Sequence, residues 1–86
     1  MMGREEIWNV IRKNLINVLD ELESVEIDTS MSMVDFGANS LDIVEIVSCS
    51  IRELKIKVPR AELNDLKTID ELIDLLHKTG NSKTQG

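Results

Sequence analysis

Asp35-Phe36-Gly37-Ala38-Asn39-Ser40-Leu41-Asp42 joins a long acidic stretch to an apolar-periodic segment, and its reading decides the fold. On its C-terminal side Ile43, Val44, Val47, Ile51 and Leu54 recur at helical spacing, which predicts a helix from about Ser40 to Leu54 with these residues facing the core. The many β-branched residues lower helix propensity, but strict alternation is absent, so the helix reading stands over a strand. Leu41, Asp42, Glu45, Ser48, Cys49 and Arg52 fall mostly on the opposite, solvent side. Ser40 stands at the start of this helix with its hydroxyl in solvent. Residues such as Asn39 or Ser40 most often serve there simply as N-caps. A phosphate attached to Ser40 would instead meet unsatisfied backbone N–H groups and the positive end of the helix dipole, so the position suits a phosphoester better than a nucleophile. Gly37, just ahead, permits a backbone conformation that other residues resist.

Working outward, Ile7, Trp8, Ile11, Leu15, Val18, Leu19 and Leu22 form one apolar stripe, predicting an amphipathic helix from Arg4 to about Leu22. Residues 23–39 carry no helical period and read as a long loop, with Val25, Ile27, Met31, Met33, Val34 and Phe36 available to pin it to the bundle. Leu54 to Val58 alternates and is followed by Pro59, which reads as an extended connector; one such segment cannot make a sheet. Arg60 to about Leu66 allows a short helical turn, with Ala61, Leu63 and Leu66 to pack. Thr68 and Glu71 form a capping box ahead of Ile69, Leu72, Ile73 and Leu76, predicting a last helix that ends near Lys78 and Gly80. The expected organisation is one all-α domain over residues 1–79 and a disordered tail over residues 80–86.

With 86 residues there is room for one small domain, which buries only about 60–65% of its unfolded surface. Trp8 and Phe36 are the sole aromatic residues, so the core is aliphatic. The formal net charge of −6 argues against nucleic acid and for basic protein surfaces as partners. From Asn14 to Ile51 there is no Lys or Arg, while Asp20, Glu21, Glu23, Glu26, Asp28, Asp35, Asp42 and Glu45 all lie in that span and bracket Ser40. Such a run is more often a solvated face than a binding site. Cys49 is the single cysteine, which excludes an internal disulfide and a cysteine-based metal cluster. No apolar run reaches the length of a membrane span and no secretory signal opens the chain, so a cytoplasmic monomer with no membrane partner is expected.

Catalytic chemistry has little support in this sequence. The one histidine, His77, falls in the last turn of the last helix, and Cys49 has Glu45 and Glu53 four residues to either side, an acidic setting unlike the electropositive one of reactive thiols. No glycine-rich phosphate loop or metal-ligand spacing is present. The residues alone lead to a small acidic helical bundle with one exposed serine and no catalytic or metal site.

The octapeptide resembles the attachment motif of acyl carrier proteins, in which G-x-D-S-L holds a serine that receives a 4′-phosphopantetheine arm. Gly37, Ser40 and Leu41 match it, whereas Asn39 stands where most carriers have aspartate. The G-A-N-S form is similar to stand-alone donor carriers of the polyketide β-branching (HMG-synthase) cassette, and the likeness continues through Leu41, Asp42, Glu45, Ile46, Val47, Glu53, Leu54, Lys57 and Pro59. The resemblance implies a four-helix bundle with a long loop between helices one and two, and phosphopantetheine on Ser40. It further implies acyl groups held as thioesters, here acetyl derived from malonyl, and a role as non-catalytic substrate of partner enzymes. These partners would be a phosphopantetheinyl transferase, an acyltransferase, a ketosynthase-like decarboxylase and an HMG-synthase-like enzyme. Asn39, Leu41, Asp42, Glu45, Ser48 and Arg52 are the expected docking residues. Two alternatives stay open: a generic fatty-acid or polyketide carrier with the same arm, or an unmodified acidic adaptor that needs neither Ser40 nor an arm.

Overall fold

Four helices follow one another in the computed structural model, which describes residues 3–63 and 66–82: α1 (Arg4–Val18), α2 (Ser40–Leu54), α3 (Arg60–Leu63) and α4 (Ile69–Ser82). No strand occurs among the described residues. The core is aliphatic, as expected, and forms where α1 packs against α2 and α4. Ile7, Ile11 and Leu15 from α1 meet Ile46, Val47 and Leu54 from α2 and Ile69, Leu72, Ile73 and Leu76 from α4. Ile11 and Leu15 are completely buried, so truncating either to alanine should cost about 2–5 kcal/mol.

The first helix stops earlier than its apolar stripe. Leu19 leaves the helical region at φ −122°, ψ 76°, and Asp20–Leu22 tightens into a 3₁₀ turn. Leu19 and Leu22 remain buried all the same, because the tighter turn keeps both pointing at the core while the chain changes direction. Trp8 and Val18 are only half-buried.

The core face of α2 is rotated from the expected one. Ile46, Val47, Ser50 and Leu54 are buried, Ile43 and Ile51 are half-buried, and Val44 is 55% exposed. Val44 therefore does not belong to the core; it lies at the edge of the face, where no helix covers it. The rotation places Ser50 in the interior opposite Asn14 of α1. Asn14 Nδ2 donates to Ser50 Oγ at 3.3 Å and to the Val10 carbonyl at 2.9 Å, while Ser50 Oγ donates to the Ile46 carbonyl at 2.8 Å. Both buried polar groups are satisfied, which is the condition for tolerating them there.

Beyond α2 the chain does not continue directly as an extended connector. Lys55 adopts the left-handed conformation (φ 59°, ψ 44°), its N–H reaches the Arg52 carbonyl and the Ile56 N–H the Ile51 carbonyl. This is a Schellman closure with lysine where glycine is usual, and it tucks Ile56 into the core at 3% exposure. Burial of Ile56 outweighs the backbone preference of Lys55. Of the helical turn expected from Arg60 to about Leu66, Arg60–Leu63 is helical, and Asn64 and Asp65 lie outside the described residues.

Thr68 and Glu71 form the expected capping box at the start of α4: Thr68 Oγ1 accepts from the Glu71 N–H at 3.2 Å and Glu71 Oε1 accepts from the Thr68 N–H at 3.4 Å. The helix then runs through Gly80 to Ser82, past the expected stop, with Gly80 buried and helical. A glycine ends a helix only when it turns left-handed, and Gly80 does not. Residues 80–82 of the expected tail thus belong to α4, and residues 83–86 lie outside the described residues. No helix among the described residues is long and apolar enough to cross a membrane.

Candidate functional site

The long segment between α1 and α2 is a chain of short closures that ends on Ser40. Asp28 Oδ1 accepts from the backbone N–H of Ser30 at 2.9 Å and from its hydroxyl at 2.7 Å, holding its carboxyl below the ordinary aspartate value. The carbonyls of Thr29 and Met31 then accept from the N–H groups of Asp70 (2.8 Å) and Ile69 (3.0 Å), so the open end of α4 anchors the loop. Ser32 and Asp35 form a capping box around a 3₁₀ turn, Met33–Phe36, which Gly37 closes at φ 104°. Asn39 caps α2. The box at Thr68 has the usual glutamate at its third position and is visible in sequence, whereas those at Ser32 and Asn39 carry aspartate there, a shorter variant of the same pattern.

Of the loop's apolar residues, Met33 is buried and Ile27 and Phe36 are half-buried. Val25, Met31 and Val34 are exposed and do not pin the loop; Val34 follows Met33 on a tight turn and so faces the other way. Met33, Ile27 and Phe36 pin the segment to the bundle, and the backbone hydrogen bonds to α4 hold it alongside them.

Asn39 is the N-cap and Ser40 the first helical residue. Ser40 is exposed, its hydroxyl has no hydrogen-bond partner among the described residues, and the N–H groups of Ser40 and Leu41 are likewise unpartnered. An uncommitted hydroxyl beside two open amides at the positive end of a 15-residue helix fits a phosphodiester. The neighbouring acids are partly engaged: Asp35 accepts from the Ser32 N–H at 3.0 Å and Asp42 from the Asn39 N–H at 3.1 Å. Glu45 is exposed and makes no such bond.

Leu41, Glu45, Ser48 and Arg52 form one exposed stripe leading away from Ser40, with Asn39 exposed at its head and Asp42 half-buried beside it. Leu41 is 80% exposed, and Val44 adds a second uncovered apolar side chain that the sequence reading assigned to the core. Next to this stripe runs a groove of about 540 Å³ between α2, the Met33–Phe36 turn, α3 and the start of α4. Its α2 wall is Ile43, Val44, Val47, Ser48, Ile51 and Arg52. Cys49 is half-buried, and no group of metal-ligating side chains occurs among the described residues.

A helical bundle that presents one uncommitted serine at a helix start, beside an exposed stripe and an apolar groove, is a carrier-type module rather than a catalyst. Residues 9–76 match the family defined as the phosphopantetheine attachment site. The polyketide biosynthesis acyl-carrier-protein AcpK of Bacillus subtilis (strain 168) is 34% identical over 76 residues, covering 88% of this chain and 93% of that protein. The acyl carrier protein of Thermotoga maritima is 30% identical over 78 residues, covering 91% and 96%. Among solved structures, a chain of the curacin biosynthetic pathway HMG synthase in complex with acetyl donor-ACP superposes with a TM-score of 0.80 at 31% identity, covering 87% of this chain and 96% of that chain. The chain belongs to the acyl carrier protein family. It is a non-catalytic carrier on which partner enzymes act, and its cofactor is 4′-phosphopantetheine.

Proposed function

We propose that Ser40 is the attachment residue and that this protein is a cytoplasmic acetyl donor for an HMG-synthase-like enzyme in polyketide β-branching. Bound at Ser40, phosphopantetheine supplies a terminal thiol that holds acyl groups as thioesters on a flexible tether, which keeps one cargo within reach of several enzymes at high effective concentration. In forming the link, Ser40 Oγ bonds to the pantetheine-bearing phosphorus of coenzyme A, 3′,5′-adenosine diphosphate leaves, and the serine proton passes to the transferase. The similarity to a chain of the HMG synthase–acetyl donor complex carries the donor reading. Asn39 supports it physically: it caps as well as aspartate and removes one negative charge beside the attachment point, so a partner can distinguish this carrier from a more acidic one.

On this reading a phosphopantetheinyl transferase, an acyltransferase that loads malonyl and a ketosynthase-like decarboxylase act in turn before the synthase. Leu41, Val44, Glu45, Ser48 and Arg52 supply the docking surface, with Asn39 and Asp42 shaping its head. The test presents acetyl on this protein, and acetoacetyl on an acceptor carrier, to an HMG synthase, with an acetylated fatty-acid carrier as control. Faster turnover from this donor is expected. Equal turnover from both would return the protein to a generic acyl carrier, the reading that its likeness to the Thermotoga maritima protein favours.

A further inference from the structure

The groove beside α2 is electrostatically unlike the rest of the molecule. In a chain with 16 acidic and 10 basic residues, its described lining contains Arg52 and Lys67 and no carboxylate. The remaining lining is apolar or hydroxylic, with Ser32, Ser48 and Thr68 among the side chains.

Neither cationic side chain has a hydrogen-bond or ion-pair partner among the described residues, as holds also for Lys55, Lys57 and Lys78, whereas three other cations are engaged. Arg4 pairs with Asp74, and Lys13 with Glu53. Arg12 donates to the Glu23 carbonyl at 3.4 Å. Two acids close in sequence to the groove cations are turned to other tasks, and Asp65, two residues before Lys67, lies outside the described residues. Glu53, beside Arg52, is taken by Lys13 on the α1 side. Glu71, four residues after Lys67, accepts from the backbone N–H groups of Lys67 (2.6 Å) and Thr68.

The α2 wall of the groove begins at Ile43, one turn past the proposed attachment residue. Ser40, Ile43 and Val44, Val47 and Ser48, and Ile51 and Arg52 follow one another at three- and four-residue steps on one side of α2. Twelve residues of helix place Arg52 about 18 Å from Ser40 along the axis. A largely apolar groove that opens one turn past Ser40 and whose lining holds two cations with no side-chain partner among the described residues fits a tethered cargo that is anionic at its tip.

Resting on the carrier reading above, we propose that Arg52 and Lys67 form a carboxylate-recognising rim, so that the groove retains acyl groups ending in a carboxylate, of the malonyl class, and not neutral ones of the same length. The guanidinium of Arg52 offers paired N–H donors to a carboxylate, and the Lys67 ammonium adds a second positive charge to the groove lining. Decarboxylation breaks the bond to the carboxyl carbon, releases carbon dioxide and puts a proton on the remaining carbon. The rim then has no anion to hold, and the neutral acetyl group is free for transfer. Arg52 and Lys67 would in this way keep the unprocessed cargo back and let the processed one go.

The test loads isotopically labelled protein from malonyl-coenzyme A or propionyl-coenzyme A with a phosphopantetheinyl transferase, which compares equal chain lengths differing in charge. Malonyl should shift the backbone amide resonances of Ser48, Ile51, Arg52, Thr68 and Leu72, and propionyl should not. Arg52→Gln with Lys67→Gln should erase the difference while the helical circular dichroism stays unchanged, since both side chains are exposed. Absence of any mass gain at Ser40 would defeat the carrier reading itself. A normal mass gain with equal shifts from the two cargoes, or a malonyl effect that survives the double substitution, would overturn the rim alone.

Discussion

Asn39 and Asp42 cap each other across the first turn of α2. Asn39 Oδ1 accepts from the Asp42 N–H at 2.8 Å, and Asp42 Oδ2 accepts from the Asn39 N–H at 3.1 Å. The two residues flank Ser40 and Leu41, so the capping is done by neighbours and the Ser40 hydroxyl is left uncommitted. This division of labour sets the terms for testing the site, because effects on the helix and effects on partners fall on different residues.

Replacing Asn39 by aspartate should leave stability within about 0.5 kcal/mol, as the two cap equally well, whereas Asn39→Ala should cost about 1 kcal/mol. Urea unfolding followed by circular dichroism separates the two. Asn39→Asp should nevertheless lower turnover by an HMG synthase, since only the charge beside Ser40 has changed. A loss of stability in the aspartate variant would show that the amide does more than cap.

Ser40→Ala should abolish the mass gain on incubation with coenzyme A and a phosphopantetheinyl transferase. Its unfolding midpoint should match the parent, because the hydroxyl neither caps nor packs. Modification that persists in this variant would place the arm on another residue.

Glu45→Lys should slow association with a basic partner without altering stability, as Glu45 is exposed and makes no hydrogen bond. Asp42→Lys should do both. It removes half of the capping pair and sets a cation at the positive end of α2, a combined loss of about 1–2 kcal/mol. Stopped-flow association at low and high salt checks the electrostatic part, which added salt should weaken in the parent protein. Rates indifferent to Glu45→Lys and to salt would leave these acids only a solvating role.

At the buried Asn14–Ser50 contact, single substitutions should be milder than a buried hydrogen bond usually implies. Ser50→Ala leaves Asn14 its bond to the Val10 carbonyl, and Asn14→Leu leaves Ser50 its bond to the Ile46 carbonyl. Each should cost about 1 kcal/mol, and a double-mutant cycle should give a coupling of about 0.5–1 kcal/mol. Strict additivity in denaturant unfolding would mean that the two side chains do not recognise each other.

The Lys13–Glu53 pair predicts the direction of one acid effect. The hydrogen bond from Lys13, with its charge, holds the Glu53 carboxyl below the ordinary glutamate value despite opposing desolvation. A depressed folded-state pKa gives stability that is present above the unfolded value and lost as the pH falls through the folded one. Glu53→Gln should therefore reduce the stability difference between neutral pH and pH below the glutamate range. The change should be small, as both side chains are largely solvated. An unchanged pH profile would show the pair to be inert.

Much of this protein was legible locally. The stripe from Ile7 to Leu15, the Thr68–Glu71 box and the helix beginning at Ser40 follow from spacing and capping chemistry, which act over a few residues and leave their mark in sequence. Asn14 and Ser50, the buried polar residues among those described, occupy stripe positions. Asn14 lies three residues after Ile11 and Ser50 three after Val47, and that register was the available signal.

The sequence by itself determined the helices, the left-handed Gly37, the place of Ser40 at a helix start and the acidic character around it. Tertiary structure alone decided which face of α2 is covered, and therefore that Val44 lines a groove instead of the core. It also decided that the Thr29 and Met31 carbonyls close the open end of α4, and that Arg52 and Lys67 line one groove. These facts depend on residues distant in the chain. Side-chain period tells that a helix has an apolar face, but how that face is shared among a packed neighbour, a loop and open solvent is fixed only when all of them are in place.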